Sequence, residues 1–281
     1  MDNKRDSITI SLFFYQGGNM EEKELNGEAL ILNYSIKHKG DWDEELKAIT
    51  QKETFDRDEV VQNYNKYKGQ FITILNIDYP EYLKNRYAPP FVLYYKGNVS
   101  LIKDYKNKLS VYVGLSSSMY AKKSVSTLIN DLIDMLIPVI PYIDRWSLDT
   151  ALEISKRGPV VLVLSKGFGQ LDAYESESIE KISEKGLVIT EIPNDEKDKR
   201  KNKIQQCRLV ANLATNTLVG AITKKEYQMV GLGYSIAKGD NVFCLPFQMG
   251  SNYVNNSLIH DGAILVENKE TILYDGGFID K

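Results

Sequence analysis

The 281-residue chain is 43% hydrophobic and 26% charged, enough for one domain of about 200 residues with a smaller companion. Its 35 basic and 38 acidic side chains leave a net charge of −3, so binding nucleic acid or acidic lipid requires locally clustered Lys and Arg. The histidines His38 and His260 and the cysteines Cys207 and Cys244, with no CxxC, are too few and scattered for a zinc site or a Ser/His/Asp triad. They suit a reduced, cytoplasmic protein whose thiols are core residues.

In chain order, the run over residues 1–18 has an apolar core too short to cross a membrane, and no small-residue cleavage site follows it. It reads as neither anchor nor signal peptide. The alternation of Ile8, Ile10 and Leu12 suits a strand. Residues 20–68 are polar and helix-prone, with Leu46, Ile49, Phe55, Val60 and Val61 at loosely helical spacing and with Asp41 or Asp43, then Asp56, as candidate caps. Residues 1–68 are therefore expected to form a small, mainly helical unit. After Gly69 comes a strand over 71–75. Tyr79-Pro80 and Pro89-Pro90 then bracket a short amphipathic stretch that feeds an apolar strand at 92–98.

From residue 109 short β-branched runs alternate with helical ones. Strands are expected at 109–115, 138–143, 159–165, 186–190, 217–222, 241–246 and 263–266. Helices are expected through 129–136 and near 147–157, 174–185, 226–238, 254–260 and 268–273. This alternation predicts βαβ units over residues 69–281: an α/β fold with a mainly parallel sheet and helices on both faces. Ligands of such sheets sit beyond the strands' carboxyl ends, which points to the loops after residues 115, 143, 165, 190, 222 and 246.

Three of those loops carry suggestive chemistry. Gly114-Leu-Ser-Ser-Ser118 offers amides and hydroxyls from Ser116 and Ser117 to a phosphate, although Ser117 or Ser118 equally suits a helix cap. Ser165-Lys-Gly-Phe-Gly169 sets Lys166 and Phe168 on a backbone freed by Gly167. Residues 196–208 read as a charged loop holding Lys197, Lys199, Arg200, Lys201, Lys203 and Arg208.

Tyr79-Pro80, Leu83, Pro89-Pro90 and Val92-Leu-Tyr-Tyr-Lys-Gly-Asn98 resemble the entry segment of the DNA-processing protein A (DprA/Smf) family. The resemblance continues through Leu187-Val-Ile-Thr-Glu191, Pro193, Arg208-Leu-Val-Ala-Asn-Leu213, Gly239-Asp-Asn-Val-Phe-Cys-Leu-Pro246 and Asn256-Ser-Leu-Ile-His-Asp-Gly-Ala263 to the helix at Glu270, in order over about residues 70–273. It implies an extended Rossmann-like domain and a non-catalytic, dimeric protein without cofactor or metal. Such a protein binds single-stranded DNA and loads a RecA-type recombinase in DNA uptake and recombination. The entry segment would brace the first strands. Arg145, Lys166, Phe168, Arg200, Lys203 and Arg208 become candidate DNA contacts, Gly114, Ser116, Ser117 and Gly167 a phosphate loop, and Trp146 and Tyr142 further stacking platforms.

The departures from the family are pointed. Its Gly-Ser-Arg reads Gly114-Leu115-Ser116, its glycine loop reads Tyr142-Ile-Asp-Arg-Trp-Ser-Leu-Asp149, and its Arg-Asn-Arg reads Gln206-Cys207-Arg208. Its Ser-Gly-Ser/Ala loop has become Lys225-Glu-Tyr-Gln-Met229. The family's optional winged-helix domain is not expected. Lost glycines close the approach of a backbone to a phosphate, which keeps two other readings open: a protein-interaction module and a nucleotide-ligand sensor.

Overall fold

The computed structural model describes residues 27–280, so the strand expected near Ile8, Ile10 and Leu12 lies outside the described residues. Three helices come first: α1 (Gly27–Lys37), α2 (Trp42–Thr50) and α3 (Arg57–Lys66). Asp41 accepts from the amides of Asp43 and Glu44, and Asp56 from that of Asp58. Each thereby satisfies donors that a first helical turn leaves open. Ile31 and Leu32 of α1 share one apolar cluster with the first strands of the sheet.

Among the described residues the strands are β1 (Gln70–Thr73), β2 (Val92–Gly97), β3 (Lys108–Val113), β4 (Ile137–Pro141), β5 (Val161–Val163), β6 (Leu187–Thr190), β7 (Asn216–Ala221), β8 (Asn241–Cys244) and β9 (Ile264–Leu265). They form one sheet in the order β1-β2-β6-β5-β4-β3-β7-β8-β9. The β1–β2 and β2–β6 pairs are antiparallel and all other neighbours are parallel. The remaining helices are α4 (Glu81–Lys84), α5 (Met119–Leu132), α6 (Arg145–Ser155), α7 (Ala173–Ser183), α8 (Arg200–Asn212), α9 (Gln228–Lys238), α10 (Asn255–His260) and α11 (Lys269–Asp275).

Period-two alternation sorts the strand side chains onto two cores. Leu162 packs with Val125, Ile129, Leu148, Ile154 and Ile179 of α5, α6 and α7. Its neighbours Val161 and Val163 pack with Leu209, Val210 and Leu232 of α8 and α9. The sheet is thus covered on both faces, as the alternation of strands and helices predicts. From β6, helix α8 recrosses to β7 on the far side of β3, which puts the topological switch between β3 and β7.

One expectation needs correction. The run over 196–208, read as a charged loop, becomes helix at Arg200. The helix hid because its inward face is polar: Asn202, Gln205 and Gln206 are buried. Gln205 donates to the Gly40 carbonyl at 2.7 Å, and Gln206 to those of Tyr142 and Val163 at 2.9 and 2.6 Å. An apolar-periodicity search cannot see a face built from amides.

The proline-bracketed stretch is a clasp. The Tyr79 hydroxyl donates to the Pro90 carbonyl and the Trp42 indole to that of Pro89, both at 2.8 Å. Trp42 stacks on Phe91 with ring centroids 5.7 Å apart, and the Asn212 amide donates to the Tyr87 carbonyl at 3.0 Å. This segment therefore joins α2, α8 and β2, so its stiffness fixes the helices to the sheet.

Beneath the clasp lies a buried acidic site. Glu45 is enclosed, and burial, reinforced by the neighbouring Glu191, pushes its carboxyl well above the usual value. A carboxyl raised in the folded state holds its proton more tightly there than in the unfolded chain. Its contribution to stability is therefore lost as pH climbs from the unfolded value through the folded one. Glu45→Gln removes that slope. Its thermal midpoint is expected to gain on the parent's as pH rises above the unfolded carboxylate value, about 4.3; a pH-independent difference would show that the Glu45 carboxyl is not raised by folding.

Candidate functional site at the strand carboxyl edge

At the switch point the loop after β3 and the loop after β7 meet. The Gly114 amide and the Ser117 hydroxyl both donate to the Ala221 carbonyl at 2.7 Å. Ser118 is the cap of α5, accepting from the Ala121 amide at 3.2 Å. The Ser116 amide points into a recess that Glu226 fills. One carboxylate oxygen accepts from Ser116 at 3.0 Å and the other from the Thr223 amide at 2.6 Å. A Cβ at Gly114 would lie 2.1 Å from that carboxylate, so any side chain there would have to push the acid aside. The recess has the donors of an anion site and already holds an anion.

The sequence carried a signal for this. Thr223-Lys-Lys-Glu226 has capping-box spacing, and the Glu226 amide donates back to the Thr223 carbonyl at 3.2 Å. What spacing could not show is the second amide, which arrives from the loop after β3.

The loop after β5 is occupied in another way. A Cβ on Gly167 would lie 1.9 Å from the Pro193 carbonyl oxygen, so this glycine permits packing of one loop on the next. The Lys166 ammonium, 16% exposed, bonds both oxygens of Glu175 at 2.8 and 2.7 Å, and the Tyr142 hydroxyl donates to the same carboxylate. Burial pushes the Glu175 carboxyl up, but bonds from Lys166, Tyr142 and the Asp172 amide outweigh it and hold the group below its usual value. Phe168 is half-buried against both cores, with the Lys96 ammonium 5.7 Å from its ring centroid.

The other candidate cations divide by exposure. Arg145 is exposed, paired with Asp149 at 3.3 Å, its guanidinium carbon 3.2 Å from the Tyr174 ring centroid. Trp146 is half-buried, with the Lys122 ammonium 5.6 Å from its ring centroid. Lys203 pairs with Asp198 at 3.0 Å and lies 5.4 Å from the ring centroid of Tyr227, which brings the start of α8 beside the loop after β7. Arg208 is buried and paired with Glu191, 5.7 Å from the Trp42 ring centroid. It lies under the clasp rather than with the edge groups. Arg200 is exposed and has no ion pair among the described residues.

Sequence reasoning left other exposed cations out of the candidate set. Lys123, Lys224 and Lys225 are exposed without an ion pair among the described residues, as is Lys197. Lys199 and Lys201, by contrast, are neutralised by Glu196 and by Asp41 with Asp43. Beyond Ser116, a cavity of about 690 Å³ opens between Tyr120, Phe247 and Tyr253. Both cysteines are buried, and burial pushes their thiols up to about 12.

A doubly wound α/β sheet with a glycine-and-serine recess at its switch point places the chain in the Rossmann-like class. The family model described as DNA recombination-mediator protein A matches residues 70–276, and the chain belongs to that family. Protein Smf of Synechocystis is 23% identical over 246 residues, covering 83% of this chain and 60% of that protein. Among solved structures, DNA processing protein A of Streptococcus pneumoniae superposes with a TM-score of 0.65 at 22% identity, covering 89% of this chain and 93% of that one. The protein of the same name from Helicobacter pylori, described for its single-stranded DNA binding mode, gives 0.64 at 18% identity, covering 73% and 95%. These likenesses fix the fold. No helix of the described residues is long and apolar enough to cross a membrane.

Proposed function

We propose that this chain is a cytoplasmic, non-catalytic recombination mediator that binds single-stranded DNA along the carboxyl edge of its sheet. It would deliver the strand to a RecA-type recombinase and act as a homodimer. The observation that carries the reading is the set of exposed cations, without an ion pair among the described residues, on the loops after β6 and β7 and at the start of α8. Lys197, Arg200, Lys224 and Lys225 stand where a doubly wound sheet places its ligand, and phosphates need such groups. The family description and the binding mode reported for the Helicobacter pylori protein support it. Exposed Ile236 and Leu265 offer apolar surface for the dimer. In this reading α1, α2 and α3 brace the DNA-binding domain over 69–281, with Trp42 anchored in the clasp.

A second reading, a protein-interaction module, draws on the internal neutralisation of Lys166, Lys203 and Arg208 by Glu175, Asp198 and Glu191. Anisotropy titrations with oligo-dT separate the two. Strand binding predicts affinity that falls with salt, with a log–log slope of about −0.7 per phosphate neutralised. Arg200→Glu combined with Lys225→Glu is expected to weaken binding by about tenfold or more and flatten that slope. Retention that ignores both salt and charge reversal favours the interaction module.

A further inference from the structure

We infer that the cavity beyond Ser116 is a nucleobase pocket, distinct from any phosphate contact; the inference deepens the strand reading and rests on it for the source of the base. Its volume, about 690 Å³, lies within the range of small-molecule sites. Three rings form the walls. Phe247 lies 4.6 Å from Tyr253 at 55° and 6.0 Å from Tyr120 at 89°, measured between ring centroids.

Two of the rings are fixed. The Tyr253 hydroxyl accepts from the Ser118 amide at 2.9 Å and donates to the Ser116 carbonyl at 3.2 Å. The Phe247 backbone is held at both its amide and its carbonyl by the Asn256 side chain, at 3.0 and 2.7 Å. Tyr120, at 60% exposure, is the free face on which a planar ring can stack. Such stacking is sequence-tolerant because every base has a π-face.

Charge decides which part of a nucleotide enters. No side chain lining the cavity is charged, and beyond Ser116 the recess already holds the Glu226 carboxylate. A phosphate is therefore disfavoured inside. Lys224 and Lys225 directly follow the lining residue Thr223 and are exposed, so a phosphate is favoured outside, next to the cavity. The lining also includes Gln248 and Asn252, exposed amides with no side-chain partner among the described residues. Each presents both a donor and an acceptor, matching the mixed edge of a base. An uncharged planar heterocycle carrying an external phosphate fits all three features.

The test compares oligo-dT with an abasic strand of equal length, for the parent, Tyr120→Ala and Asn252→Ala, with thymidine and thymidine monophosphate as free competitors. The parent is expected to prefer the base-bearing strand by about tenfold. Tyr120→Ala should bring that ratio toward one without changing affinity for the abasic strand. Asn252→Ala, a second exposed change, should lower the ratio in the same direction. If strands bind but neither variant moves the ratio, the pocket is overturned and the strand reading stands. If no strand binds at low salt while thymidine does, and Tyr120→Ala abolishes it, the pocket stands and the strand reading falls. Binding of neither overturns both.

Discussion

Arg208→Met is expected to destabilise the protein by about 3–5 kcal/mol, the usual cost of leaving one member of a buried ion pair without its partner. Arg208 and Glu191 are both enclosed, and the guanidinium donates to the Glu191 carboxylate. Burial raises the Glu191 carboxyl even with Arg208 opposing it, and the same guanidinium partly offsets the rise at Glu45. One cation thus serves two buried acids. Without it, both hold their protons more tightly in the folded state. The deficit should therefore grow as pH rises above the unfolded carboxylate value, about 4.3, and shrink in acid. Urea denaturation at several pH values measures this. Adding Glu191→Leu should restore most of the loss, since an apolar replacement of a buried pair is often neutral or better. A variant as stable as its parent that has lost oligo-dT would instead make Arg208 a strand contact.

The same residue shows how far the sequence could be read. The sheet was legible because its signal is local: Val161, Leu162 and Val163 are apolar whichever face they meet, and helices of ordinary composition separate the strands. The loops that carry the edge were legible too, since chain order fixes which ends of parallel strands align. Pairing across the sequence was not. Arg208 read as a basic group near a ligand edge, yet its partner lies 17 residues away in the chain, and only the packing of α8 back against β4 and β5 buries both. Lys166 read as a free charge beside glycines until α7 brought Glu175 beneath it. Gly114 and Gly167 read as openings for a ligand, whereas each accommodates this chain's own atoms. Glycine records a close approach without saying what approaches.

That ambiguity at Gly114 bears on the largest expected gain in binding. Glu226 satisfies two amide donors with two acceptor oxygens. Glutamine has one acceptor and an NH₂ group, so Glu226→Gln sets a donor against either Ser116 or Thr223 as well as removing the charge. The side chain has reason to leave the recess, and the vacated amides face the strand edge. If an incoming phosphate takes the place of the carboxylate, oligo-dT affinity at low salt should rise by about tenfold and the salt slope should steepen by about 0.7, one further phosphate. The cost to stability should be about 1 kcal/mol, that of an ordinary hydrogen bond. Glu226→Asp, which keeps the charge on a shorter stem, should give a smaller gain. If glutamine lowers stability but leaves both affinity and slope unchanged, the carboxylate only ties two loops together. In that case the strand passes over the recess without entering it, and the edge lysines alone carry its phosphates.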